Sequence, residues 1–111
     1  MNNQSASLYD LVPIKNPTIY WEMTPAGYIR LQVEERGFVS KCKKLITGAP
    51  VTSQIVLDKF GSFIWVKMDG RHTVEEIGTM LYQQFGEETE PLEERLEDHF
   101  SALRRHRLIV F

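Results

Sequence analysis

The stretch that decides the fold covers residues 57–77 and reads LDKFGSFIWVKMDGRHTVEEI. Asp58 is placed to accept main-chain N–H bonds at the start of a helix, and Gly70 suits the left-handed residue that follows the end of one. Between them apolar residues recur at helical spacing on nearly every side, which predicts a helix that is buried from two sides. Thr73 followed by Glu76 is the capping-box pattern that opens a second helix. This stretch therefore predicts the centre of a small hydrophobic core.

The composition is that of one ordinary globular domain. The chain has 111 residues, is 42% hydrophobic and carries a formal net charge of −2, which gives no reason to expect bulk attraction to nucleic acid or membrane. No signal-peptide pattern is present, no apolar run is long enough to span a bilayer, and the single Cys42 cannot form an intramolecular disulfide. We therefore expect a cytoplasmic protein with a partly disordered N-terminal arm at residues 1–17 and one domain at residues 18–111.

Two alternating runs before the central stretch predict an antiparallel hairpin. Residues 19–23 and 28–34 place apolar side chains at every second position, and a turn signal with Pro25 and Gly27 separates them. Residues 51–57 predict a third strand that leads directly into the first helix. Residues 36–49 favour a short basic amphipathic helix between the second and third strands, and a strand over the same stretch stays open.

Two more helices and a short apolar end complete the predicted domain. Gly78, in the middle of the second helix, predicts a site of close packing, most simply against the first helix. A third helix is expected over about residues 91–106, and residues 108–111 are expected to pack on the core or to pair with a strand. The fold class is therefore α+β. The order of elements is typical of a winged helix-turn-helix-like domain, with a three-stranded antiparallel sheet packed on a three-helix core and a short helical insertion.

The sequence does not favour catalysis. It contains no glycine-rich phosphate loop, no HExxH motif and no paired cysteines. His72, His99 and His106 are too widely spaced to form a zinc site without further ligands, and Cys42 has no adjacent base that would activate it. We therefore expect no catalytic residue, no metal and no cofactor.

The predicted third helix argues against DNA binding. Winged helices that bind DNA usually read it with this helix, but here residues 87–98 hold seven carboxylates and one cation, Arg95. Such a helix would repel the phosphate backbone, on which affinity for DNA largely depends. A DNA-binding transcription regulator is therefore kept as an alternative, as is a structural module that dimerises through an apolar edge.

Peptide recognition fits these elements better. A small sheet with an exposed edge offers unpaired N–H and C=O groups to an extended ligand strand. One stripe of the third helix adjoins its buried stripe and is placed to flank such an edge, although each of its residues can also be read as ordinary surface. The predicted peptide-binding residues are Val51, Thr52, Ser53, Gln54, Ile55 and Val56 on the strand, and Arg95, His99, Ala102 and His106 on the helix.

The central stretch also carries a longer pattern, Leu57-Asp58-x-x-Gly61-x-x-Ile64-Trp65-x-x-x-Asp69-Gly70-x-x-Thr73-Val74-x-x-Ile77. This pattern resembles the signature of the PqqD family. Those small proteins are similar to the peptide chaperone of PQQ biosynthesis and to the recognition elements that act in the maturation of ribosomally synthesised, modified peptides (RiPPs). The likeness extends from about Trp21 to Ile109, and the chain departs from the short PQQ-type pattern in its arm and at residues 36–49.

The resemblance implies a domain without catalysis that binds the leader of a precursor peptide and presents it to a modifying enzyme, often a radical SAM protein. It implies that the leader adds as a strand to the third strand, in a groove against the third helix. The expected partners are that leader peptide and that enzyme, with no nucleic acid and no membrane. The chain itself is expected to be a monomer or a homodimer.

Overall fold

The computed structural model describes residues 7–34 and 52–111. Within them the fold is α+β, with three helices and two small antiparallel sheets. Val51 and the insertion at residues 36–49 lie outside the described residues, and the winged-helix description stays a prediction. The strands and helices are β1 (Ile14–Lys15), β2 (Tyr20–Met23), β3 (Ile29–Glu34), β4 (Thr52–Val56), α1 (Lys59–Lys67), α2 (Val74–Phe85), α3 (Leu92–Arg105) and β5 (Ile109–Val110).

The larger sheet has the strand order β2-β3-β4, and each pair in it is antiparallel. The hairpin predicted from the alternating runs is confirmed, and the predicted third strand is β4. Ile29 and Leu31 of β3 are fully buried and face the core. On the opposite face Arg30 pairs with Glu22 at 2.6 Å.

Helix α1 begins where the sequence predicts. The Asp58 side chain accepts a hydrogen bond from the Gly61 N–H at 2.7 Å, and Gly70 has a φ of 81° beyond the end of the helix. Trp65 is completely buried. Val66 is 44% exposed, however, so burial does not extend around the whole helix as its apolar sequence suggests.

The two following helices pack against each other through Gly78. The capping box at the start of α2 is confirmed, since the Glu76 N–H donates to Thr73 Oγ and the Thr73 N–H donates to Glu76 Oε1. The prediction that Gly78 packs against the first helix is wrong. A Cβ at this position would lie 2.6 Å from Cδ1 of Leu96, which belongs to α3. No helix in the described part of the chain is long and apolar enough to cross a membrane.

The N-terminal residues are joined to the domain by strand pairing and by several hydrogen bonds. Strand β1 pairs with β5, which confirms the expectation that the end of the chain packs or pairs. The Tyr9 hydroxyl donates to Glu97 Oε2 on α3 at 2.8 Å, and the Val74 N–H at the start of α2 donates to the Leu11 carbonyl at 2.9 Å. The division of the chain at residue 17 stays a prediction.

Candidate functional site

Strand β4 presents an outer edge whose chemistry is set by its pairing with β3. The Leu57 N–H donates to the Ile29 carbonyl at 2.8 Å, so the main-chain groups of Leu57 and Ile55 point towards β3. Because this direction alternates along a strand, Gln54 and Val56 direct their N–H and C=O groups away from β3. Within the described residues those outward groups have no hydrogen-bond partner. This arrangement is a ready template for one more strand.

The same edge has accessible apolar side chains on both faces. Ile55 lies opposite Leu31 on the core-facing side and is 38% exposed. Val56 lies opposite Arg30 on the other side and is 55% exposed. An extended ligand would therefore find main-chain partners and apolar contacts together, which is the usual combination in recognition by strand addition.

Ser62 of α1 fixes the end of β4 that adjoins the helix. Its hydroxyl accepts the Ile29 N–H at 2.9 Å and donates to the Leu57 carbonyl at 3.1 Å. The side chain thus takes the place of one direct bond of the ladder, between Ile29 and Leu57. This bridge holds the edge strand and α1 in one fixed relation.

His99 of α3 meets the same end of β4 at Gly61. A Cβ on Gly61 would lie 3.1 Å from His99 Cε1 and 3.3 Å from Leu57 Cβ, so a side chain here would require its neighbours to move by a few tenths of an ångström. Nε2 of His99 is buried and has no hydrogen-bond partner within the described residues. Burial lowers the pKa of His99, and the nearby Asp58 carboxylate opposes that shift only in part. His99 is therefore a neutral side chain at neutral pH.

Arg95 holds the loop before α3 in place. Its Nε donates to the Thr89 carbonyl at 2.9 Å and its Nη2 donates to the Glu88 carbonyl at 3.3 Å. The guanidinium also lies 4.5 Å from the centre of the Phe60 ring on α1. Arg95 therefore has a structural task, and only part of its donor capacity is left for a ligand.

A pocket of about 410 Å³ opens beside α3 and brings together two of the predicted site residues, Arg95 and His99. The pocket lining does not include the predicted strand residues, which are Thr52, Ser53, Gln54, Ile55 and Val56. It also does not include two of the predicted helix residues, the partly buried Ala102 and the exposed His106. Val51 lies outside the described residues. The lining residues are Pro91, Glu94, Arg95, Asp98 and His99.

Glu94 and Asp98 are not among the residues that the sequence predicts for the site; they belong to the seven carboxylates that argue against DNA binding. The sequence feature that could have identified them is their spacing of four residues, which places them on one side of the helix next to Arg95 and His99. Among the described residues no group of three or more His, Cys, Asp or Glu side chains is arranged to hold a metal ion.

Comparison with known proteins identifies the family. The family model of PqqD, described as Coenzyme PQQ synthesis protein D, matches residues 46–109, which is more than half of the chain and includes β4 and all three helices described above. No curated protein and no solved structure gives a match. The match confirms the resemblance carried by residues 57–77, and the chain therefore belongs to the PqqD family.

Proposed function

We propose that this protein is a peptide-binding chaperone without catalytic activity, which holds the leader of a ribosomally synthesised precursor peptide as an added strand along the outer edge of β4. Membership of the PqqD family supports the general role, a peptide-binding partner in PQQ- or RiPP-related biosynthesis, and does not favour the DNA-binding alternative. The observation that carries the binding mode is the outer edge of β4, where Gln54 and Val56 direct main-chain groups outward that have no partner among residues 7–34 and 52–111.

The proposed partner enzyme is a peptide-modifying enzyme, most simply a radical SAM protein. A leader bound along β4 would use only one of its two edges for pairing. Its other edge and the rest of the precursor would remain open to the enzyme. The role of this protein is then to order the leader in advance, which reduces the entropy that the enzyme has to overcome when it binds its substrate.

The size of the edge sets the strength of binding. Gln54 and Val56 offer two N–H and two C=O groups, and a hydrogen bond contributes a net 0.5–1.5 kcal/mol, so four contribute about 4 kcal/mol. A dissociation constant of 1 μM requires about 8 kcal/mol. Contacts with side chains must therefore supply the rest, and exposed Ile55 and Val56 are the nearest apolar candidates.

A pair of substitutions at Gln54 tests this binding mode. Proline removes the outward N–H, which β3 does not use, and proline is tolerated at such positions of an edge strand. Alanine at the same position keeps the N–H. With a synthetic leader peptide from any precursor gene found next to this one, we expect calorimetry to show binding about tenfold weaker for Gln54→Pro and within twofold of the parent for Gln54→Ala.

Urea unfolding of both variants controls for damage to the fold. A Gln54→Pro protein that is folded and binds the leader as tightly as Gln54→Ala would contradict the proposed edge. Leader binding that is absent in the unsubstituted protein would contradict the proposed function as a whole.

A further inference from the structure

Two carboxylates of α3 are placed where they repel each other. Glu94 and Asp98 are four residues apart on one face of the helix, and both line the pocket beside it. Like charges at this spacing destabilise a helix by a few tenths of a kcal/mol. Neither carboxylate forms an ion pair within residues 7–34 and 52–111.

The cations nearby are engaged elsewhere. Arg95 is three residues from Asp98, a spacing that suits an ion pair, yet its guanidinium donates to the carbonyls of Thr89 and Glu88 and lies over the Phe60 ring. Lys59 pairs with the Glu88 side chain. Among the described residues that line the pocket, two carboxylates and one guanidinium give a net negative charge, and the neutral ring of His99 does not change it.

The pocket adjoins the end of the open strand edge. His99 is the shared residue, since it lines the pocket and also meets Leu57 at Gly61. A peptide that pairs with Gln54 and Val56 and continues past Val56 would pass Leu57, the residue that His99 approaches. The volume of about 410 Å³ lies within the range of about 300–1,000 Å³ that is usual for ligand clefts.

We propose that this pocket receives the side chain of a lysine or arginine of the bound peptide, located just outside the segment that pairs with β4. The inference rests on the proposed function and adds a chemical requirement to it. The peptide would place an apolar side chain against Ile55 and a basic side chain between Glu94 and Asp98. Charge complementarity selects the basic residue, and the direction of β4 determines at which end of the paired segment it lies.

Removing the two pocket charges together provides the test. In the double variant Glu94→Gln/Asp98→Asn we expect the same synthetic leader peptide to bind about five- to tenfold more weakly. The matched control Glu90→Gln/Glu93→Gln changes the net charge equally beside the same helix but outside the pocket lining, and we expect its binding to stay within twofold of the parent. Equal losses in the two double variants would overturn the pocket assignment.

Substitutions in the peptide identify the residue that the pocket binds. Each lysine and arginine of the leader is replaced in turn by glutamine, and one replacement should weaken binding to the parent protein but not to Glu94→Gln/Asp98→Asn. If every such replacement weakens binding equally in both proteins, or if none has any effect, the inference is wrong while the proposed function stands.

A small probe tests the pocket even if the leader does not bind. N-acetyl-lysine methylamide and N-acetyl-glutamine methylamide differ in charge at the end of a similar chain. In a titration followed by amide NMR, the lysine probe should shift the signals of residues 94–99 and the glutamine probe should not. Equal responses to the two probes would overturn the inference. A leader that fails to bind while the lysine probe does would overturn the proposed function and leave only a pocket that binds a basic side chain.

Discussion

Replacement of Ser62 by alanine tests how α1 holds the edge strand. The hydroxyl accepts the Ile29 N–H at 2.9 Å and donates to the Leu57 carbonyl at 3.1 Å. Ser62 is 6% exposed and Ile29 is fully buried, so water cannot easily replace the hydroxyl. A buried polar group that loses its partner costs about 1–3 kcal/mol, and the Leu57 carbonyl, near the surface, adds less. We expect Ser62→Ala to lower the free energy of unfolding by about 2–3 kcal/mol.

The measurement is urea denaturation followed by the fluorescence of the tryptophans, of which Trp65 is buried in the core. Ser101→Ala is the matched control, because Ser101 is exposed on α3, and its free energy of unfolding should change by less than about 0.5 kcal/mol. A loss below about 0.5 kcal/mol in Ser62→Ala would refute the reasoning. It would mean that the Ile29 N–H and the Leu57 carbonyl close up into an ordinary pair once the hydroxyl is gone.

Two further predictions concern the packing of α3. In Gly78→Ala, the gain in helix propensity is about 1 kcal/mol. It is opposed by a Cβ placed 2.6 Å from Leu96 Cδ1 in the core, and overpacking costs about 1–3 kcal/mol. We therefore expect urea denaturation to show a free energy of unfolding that is about 1 kcal/mol lower, and a gain would contradict the close contact. Because burial lowers the pKa of His99 in the folded state, the unfolded chain binds more protons just below its own pKa of about 6.5. The free energy of unfolding should therefore fall as the pH drops below about 6.5. The variant His99→Gln should show a weaker dependence on pH. An unchanged pH profile in this variant would argue against a neutral His99.

The features that the sequence predicts well are those decided within a few residues. Asp58 caps α1 through an N–H three residues away, and Thr73 and Glu76 cap α2 within one turn. The hairpin of β2 and β3 likewise follows from alternation and a short turn. In each case the deciding groups are close in the chain, so no knowledge of tertiary packing is required.

The features that the sequence does not predict depend on distant partners. Strands β1 and β5 have two residues each, too few for any periodicity, and they come from opposite ends of the chain. The close packing at Gly78 could be anticipated, but its partner Leu96 depends on how α3 approaches α2.

The same distinction holds for the candidate site. The sequence indicated β4 and one stripe of α3, yet the outward direction of Gln54 and Val56 follows from the bond between Leu57 and Ile29. Arg95 is a predicted peptide-binding residue that lines the pocket, and its guanidinium also contacts the loop before α3 and Phe60. The contacts of Arg95 with this loop depend on the path of the loop, which no local sequence pattern specifies.

Amide hydrogen exchange at β4 tests the central claim most directly. At saturating leader peptide, exchange at the outward amides of Gln54 and Val56 should slow by at least about tenfold, because both become part of a new ladder. The amides of Ile55 and Leu57 already face β3 and should change much less. Unchanged exchange at Gln54 and Val56, in a sample where calorimetry shows that the leader is bound, would contradict strand addition at this edge.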